Sequence, residues 1–84
     1  MTYSVSIKQS AAKALAKVAH EDRLRIIGVI DELKANPTAG GVLKGEFSGL
    51  RRIRVGNYRV VYEVQDQKLV VLVVRIGHRR EVYR

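Results

Sequence analysis

The sequence predicts an α+β fold in the order β-α-α-β-β-β: an N-terminal strand, then an αα-hairpin packed on one face of a small, mainly antiparallel sheet. Three observations carry this reading. Two stretches before Asn36-Pro37 space their apolar residues as helices do. Two β-rich runs, 50–55 and 58–64, are joined by Gly56-Asn57. A nearly continuous apolar run, 69–76, follows them.

The opening Tyr3-Ser4-Val5-Ser6-Ile7-Lys8 alternates apolar and polar, which places Tyr3, Val5 and Ile7 on the inner face of a strand. Ser10 is then the expected N-cap of a short helix whose stripe is Ala11, Leu15 and Val18. His20-Glu21-Asp22 interrupts that pattern, and its acids suit the positive end of a second helix. His20 itself reads as a cap or surface residue. The second helix should run to about Ala35 and bury Ile26, Ile27, Ile30 and Leu33. Asn36-Pro37 stops it, because a residue before proline disfavours helical angles. Thr38-Ala39-Gly40-Gly41 is a loop without the spacing of a phosphate-binding glycine motif. Residues 42–49 form a turn-rich approach to the sheet, with Leu43 and Phe47 placed to cover its apolar edge.

Gly56-Asn57 is the signature of a two-residue hairpin loop, so Val55 should oppose Tyr58. Counting back pairs Arg54 with Arg59, Ile53 with Val60 and Arg52 with Val61. Side chains alternate between faces. One face therefore carries Ile53, Val55, Tyr58, Val60 and Tyr62, and the other gathers Arg52, Arg54 and Arg59. Like charges directly opposed across strands cost stability, and arginine cannot shed its proton to escape, its pKa lying above about 12. A visiting polyanion explains such a patch.

Gln65-Asp66-Gln67-Lys68 makes the next turn, and Leu69–Ile76 is expected to be a central strand buried on both faces. With Asp66-Gln67 as the loop, Arg59 lies opposite Val74, and alternation carries the arginine face through Val74 and Ile76 to His78. Gly77 could instead mark a bulge that turns His78 or Arg79 toward the patch. The ending His78-Arg79-Arg80-Glu81-Val82-Tyr83-Arg84 is a second basic cluster. Lys44, Arg51 and Arg80 are expected to add contacts to that polyanion around the patch.

Composition agrees with this placement. The 84 residues are read as one domain, 1–84, with a modest core. Absence of cysteine removes disulfides and thiolate chemistry, and fits a reducing, cytoplasmic setting. No run approaches a membrane span, and the first residues lack the build of a signal peptide. A formal charge of +8 favours nucleic acid, an anionic membrane or an acidic protein as partner. Residues 1–42 carry +2 of it and residues 43–84 carry +6, so the basic face belongs to the sheet.

These features taken together resemble the RelE branch of the RelE/ParE toxins. The likeness rests on the element order, the Asn36-Pro37 stop, Leu43-Lys44-Gly45, the stretch Arg52-Ile53-Arg54-Val55-Gly56-Asn57-Tyr58-Arg59-Val60-Val61-Tyr62, and Ile76-Gly77-His78-Arg79-Arg80-Glu81-Val82-Tyr83. It implies a metal-independent, ribosome-dependent endoribonuclease that cuts mRNA in the ribosomal A site, uses no small-molecule cofactor and is neutralised by a cognate RelB-like antitoxin. It also implies basic site residues at Arg52, Arg54, Arg59 and near His78 and Arg79, and a catalytic tyrosine at Tyr83. Family members with lysine at the position of Arg52 or Arg54 carry a residue whose pKa can be lowered into a working range; this chain has arginine at both.

Metal-free RNA cutting uses the 2′-OH as nucleophile and leaves a 2′,3′-cyclic phosphate and a 5′-OH. It needs a base, charge stabilisation on the phosphorane and an acid for the leaving oxygen. Arginine's planar fork suits the phosphorane and suits the base role poorly. The base and acid are sought in Tyr83, whose phenolate nearby cations would favour, and in His78. Arg59, with Arg54 or Arg79, is expected to hold the phosphorane. Three other readings fit the same sequence: a ParE-like gyrase inhibitor, a plain RNA-binding module, and a relic that only binds its antitoxin. The RNA-binding module lacks exposed aromatics for base stacking, since Tyr58 and Tyr62 face the helices.

Overall fold

The structure, a computed structural model, describes residues 2–78. Its elements are β1 (Ser4–Ile7), α1 (Gln9–Ala16), α2 (His20–Glu32), β2 (Gly41–Val42), β3 (Arg51–Val55), β4 (Tyr58–Gln65) and β5 (Val70–His78). They form a five-stranded sheet in the order β1-β5-β4-β3-β2, parallel only between β1 and β5. The two helices pack against this mixed sheet, as the α+β reading expects. The short β2 is an addition to that reading.

At eight residues α1 is too short to be stable alone, so its packing on β5 must supply what its length cannot. Ala11, Leu15 and Val18 form the expected buried stripe. The helix starts before Ser10: Lys8 occupies the cap position and no side chain caps it. The Lys8 N–H donates to the Val73 carbonyl, so the end of β1 is held to the sheet and the chain turns directly into the helix.

Glu21 and Asp22 occupy the first turn of α2, where the helix dipole favours acids. Ile26, Ile30 and Leu33 enter the core, whereas Ile27 is 47 % exposed, against the expectation that it is buried. One residue past Ile26 is a rotation of about 100°, which carries Ile27 off a narrow contact stripe. Leu24 is likewise 54 % exposed.

The sheet half of the core is Val55, Val60, Tyr62, Val71, Val73 and Ile76. β5 lies inside the sheet, between β1 and β4, but only one of its faces is buried. Leu72 and Val74 are half-buried and Arg75 is exposed, because both helices cover the same side. Tyr62 closes the other end of the core. Its hydroxyl accepts from the Gly40 N–H at 2.9 Å and donates to the Pro37 carbonyl at 2.8 Å. A Cβ on Gly40 would stand 2.7 Å from both the Arg52 carbonyl oxygen and the Tyr62 hydroxyl, so only glycine fits. Among the described residues, no helix is long and apolar enough to cross a membrane.

Candidate active site

The hairpin register is the one counted from the sequence: Val55 faces Tyr58, Arg54 faces Arg59, Ile53 faces Val60 and Arg52 faces Val61. Gly56 takes φ +60°, the left-handed conformation that a primed two-residue turn requires. The helices cover the face bearing Val55 and Val60. Arg52, Arg54 and Arg59 therefore share the open face.

Between β4 and β5 the register departs from expectation. Arg59 lies opposite Gly77 instead of Val74, because the turn is a longer 3₁₀ turn at Asp66–Lys68 followed by Leu69 at φ 54°, and because β5 carries a bulge. Val61 pairs with Arg75 and Tyr62 with Val73, which leaves Val74 as the extra residue. The bulge thus falls three positions before Gly77, where the sequence suggested one. It brings Arg75 onto the open face and sends Ile76 and His78 to the helix side.

The open face consequently reads in rows across the strands. Arg54, Arg59 and Gly77 make one row, and Arg52, Val61 and Arg75 make the next. Arg75 was absent from the sequence-based site. The signal was available, since strict alternation from Val71 and Val73 would have buried an arginine among valines, which an unpaired charge does not tolerate. Arg54 and Arg59 make no ion pair or hydrogen bond among the described residues, whose salt bridges, Arg25–Asp22 and Lys34–Asp31, belong to α2 and its C-terminal end. Arg54 is exposed and Arg59 half-buried, so both guanidinium groups can reach a ligand on this face.

The remaining expected residues divide. His78 sits across from Tyr58, its ring edge-on at a centroid distance of 5.9 Å, in a pocket with Lys17, the C-cap of α1. It belongs to the opposite face from the arginines, which corrects the expected continuation of the patch. Arg51 pairs with Tyr62 on the helix side and donates to the Gly40 carbonyl at 2.8 Å. Its guanidinium thereby ties down the 37–41 loop. Lys44 is exposed just before the 3₁₀ turn Gly45–Phe47. Arg79, Arg80 and Tyr83 lie outside the described residues.

Tyr62 is the perturbed tyrosine of the core: burial pushes its phenol up, against the pull of the Gly40 N–H and then of the Arg51 charge. It serves the scaffold, not the site.

A small basic α+β domain with arginines converging on the sheet face that its helices leave open is suited to holding phosphodiester oxygens. Residues 5–83 match the family described as ParE toxin of type II toxin-antitoxin system, parDE. Toxin RelG of Mycobacterium tuberculosis is 28% identical over 86 aligned residues, covering 100% of this chain and 99% of that protein. Toxin RelE of the same organism is 32% identical, covering 98% and 87%. The toxin-antitoxin complex RelBE2 from M. tuberculosis contains a chain that superposes with a TM-score of 0.88 at 26% identity, covering 94% of this chain and 100% of that one. The chain belongs to the RelE/ParE superfamily and is a toxin of a type II toxin–antitoxin module.

Proposed function

We propose that this toxin is a ribosome-dependent endoribonuclease that cleaves mRNA in the A site by attack of the 2′-OH on the adjacent phosphorus. The observation that carries this reading is the opposition of Arg54 and Arg59 on the open face, with Arg52 and Arg75 one row away. Four guanidinium groups there offer paired donors to a phosphorane whose equatorial oxygens gain charge as the bond forms. In-line attack gives a 2′,3′-cyclic phosphate and a 5′-OH. With His78 on the helix side, this reading assigns proton removal from the 2′-OH to Tyr83.

The protein has a cognate antitoxin as partner, in keeping with RelBE2, a toxin-antitoxin complex of similar fold. That antitoxin is expected to be acidic where it meets the basic sheet.

Brief expression followed by mapping of transcript 5′ ends tests the activity. Cuts at a fixed position within codons are expected, and Arg59→Ala and Tyr83→Phe should each abolish most of them. Full cutting by both variants would remove the proposed site. The ParE description of the matched family supports a second reading, inhibition of DNA gyrase on the same scaffold. Loss of supercoiling by purified gyrase on adding the toxin, with intact transcripts, would select it.

A further inference from the structure

The bulge that the sequence suggested at Gly77 belongs to Val74, which leaves this glycine to be explained. A glycine inside a strand packs nothing and weakens it, and it marks a bulge, a tight bend, or a place where a ligand or another backbone comes close. Among the described residues the glycines with left-handed backbones are Gly45, Gly49 and Gly56, so Gly77 is not kept for that conformation. It lies within β5 as the direct antiparallel partner of Arg59, a position whose backbone any residue can adopt. Close approach is the reason that remains.

The surroundings fit an anion. Arg59 stands directly across the strand pair, at the about 4.5–5.5 Å that separates opposed Cα atoms. Arg75 lies two residues back on the same face of β5, about 6.6–6.8 Å along the strand. Arg54 is one strand further along the row. On the other side β1 pairs only with residues 70–73, so among the described residues no strand continues the row past Gly77. Gly77 is thus a notch one side chain deep, with guanidinium groups on two sides.

We propose that Gly77 is the seat of the scissile phosphate: its missing side chain lets a non-bridging oxygen settle against the β5 backbone, at a depth where Arg59 and Arg75 close on it together. The inference rests on the proposed endonuclease reading and deepens it by placing the phosphorus. A Cβ at this position would project about 1.5 Å into the notch and hold the phosphate away from both arginines. A misplacement of about 1 Å at a reacting centre can cost about 10²-fold in rate. The arginines supply the charge, and Gly77 sets the depth at which the phosphate meets it.

Gly77→Ala tests this on a ribosome-bound message. Its kcat is expected to fall about 10²-fold while KM changes little, since the arginines that attract RNA are untouched. The melting temperature should hold or rise, because alanine leaves the unfolded chain less freedom than glycine and fits an extended backbone. Arg59→Ala added to this variant should cost far less than the same change in the wild type, because the phosphate no longer lies within that arginine's reach. Full cutting by Gly77→Ala would overturn the proposal. A lower melting temperature or a failure to fold would also overturn it, by making the glycine a requirement of the fold. Losses from Gly77→Ala and Arg59→Ala that simply multiply would do the same, since the phosphate would then still sit beside Arg59. In each of these cases cutting by the wild type upholds the endonuclease reading, whereas absence of wild-type cutting ends both.

Discussion

Arg54 and Arg59 face each other across the hairpin with no acid among the described residues to offset them. A directly opposed like-charge pair costs up to about 1 kcal/mol, so the patch should be a local weakness of the fold retained for its ligand. Arg54→Gln is therefore expected to stabilise the free toxin by about 0.2–1 kcal/mol, raising the melting temperature by a few degrees, while slowing RNA cutting. Loss of one donor to a developing oxyanion costs about 10²–10³-fold in rate, and cleavage of a ribosome-bound message measures it. A variant that is both less stable and fully active would contradict the account of the pair. This pair was legible in the sequence because a two-residue turn fixes register by counting alone. His78 was not, since one extra residue at Val74 exchanges the faces of everything after it and no glycine marks the place; Arg75 was legible only through the cost of burying its charge among valines.

At the level of elements, the helices were legible in type but not in depth. Their stripes gave Ile26, Ile30 and Leu33, yet periodicity could not say how wide a band the sheet would cover, and Ile27 falls outside it. Ile26→Ala should cost about 2–5 kcal/mol, whereas Ile27→Ala should cost well under half of that, a difference that urea unfolding resolves. Gly28, in the middle of α2 with open space around its Cα, is a position where alanine should stabilise by up to about 1 kcal/mol. The 37–41 loop was read only as a glycine-rich turn. Its anchor, the Tyr62 hydroxyl between the Gly40 N–H and the Pro37 carbonyl, joins residues 22 and 25 positions apart, which no local pattern reveals. Tyr62→Phe leaves the Gly40 N–H buried without this acceptor, at an expected cost of about 1–3 kcal/mol. The raised phenol also sets a pH dependence: the folded pKa lies above the unfolded value of about 10, so stability is intact below that pH and declines as pH rises through the folded value. Melting curves across that range should fall less steeply for Tyr62→Phe than for the wild type. Tyr3, held up chiefly by its hydroxyl's hydrogen bond to Asp66, contributes with the same sign in both.

Across the whole molecule, the charge of +8 and the cluster of Arg52, Arg54, Arg59 and Arg75 act together on any RNA that approaches the open face. Each neutralised phosphate on a single strand contributes a slope of about −0.7 to the dependence of log affinity on log salt concentration. Engagement of the four arginines predicts a slope near −3 for a short oligoribonucleotide, with Arg59→Ala reducing its magnitude by about 0.7. Binding of this kind concentrates RNA without ordering it. Arginine is a poor proton acceptor, and among the described residues no helix covers the open face, so these residues offer little means of aligning a 2′-OH with the departing oxygen. Orientation of the reacting groups is worth about 7–11 kcal/mol of barrier, and the ribosome, which holds the message in a fixed path, is the body that can supply it. Free single strands should accordingly bind with the stated salt dependence and be cut slowly, and the same message in the A site should be cut fast. Rapid cutting of free RNA that persists in high salt would place the alignment in the toxin itself and end the case for ribosome dependence.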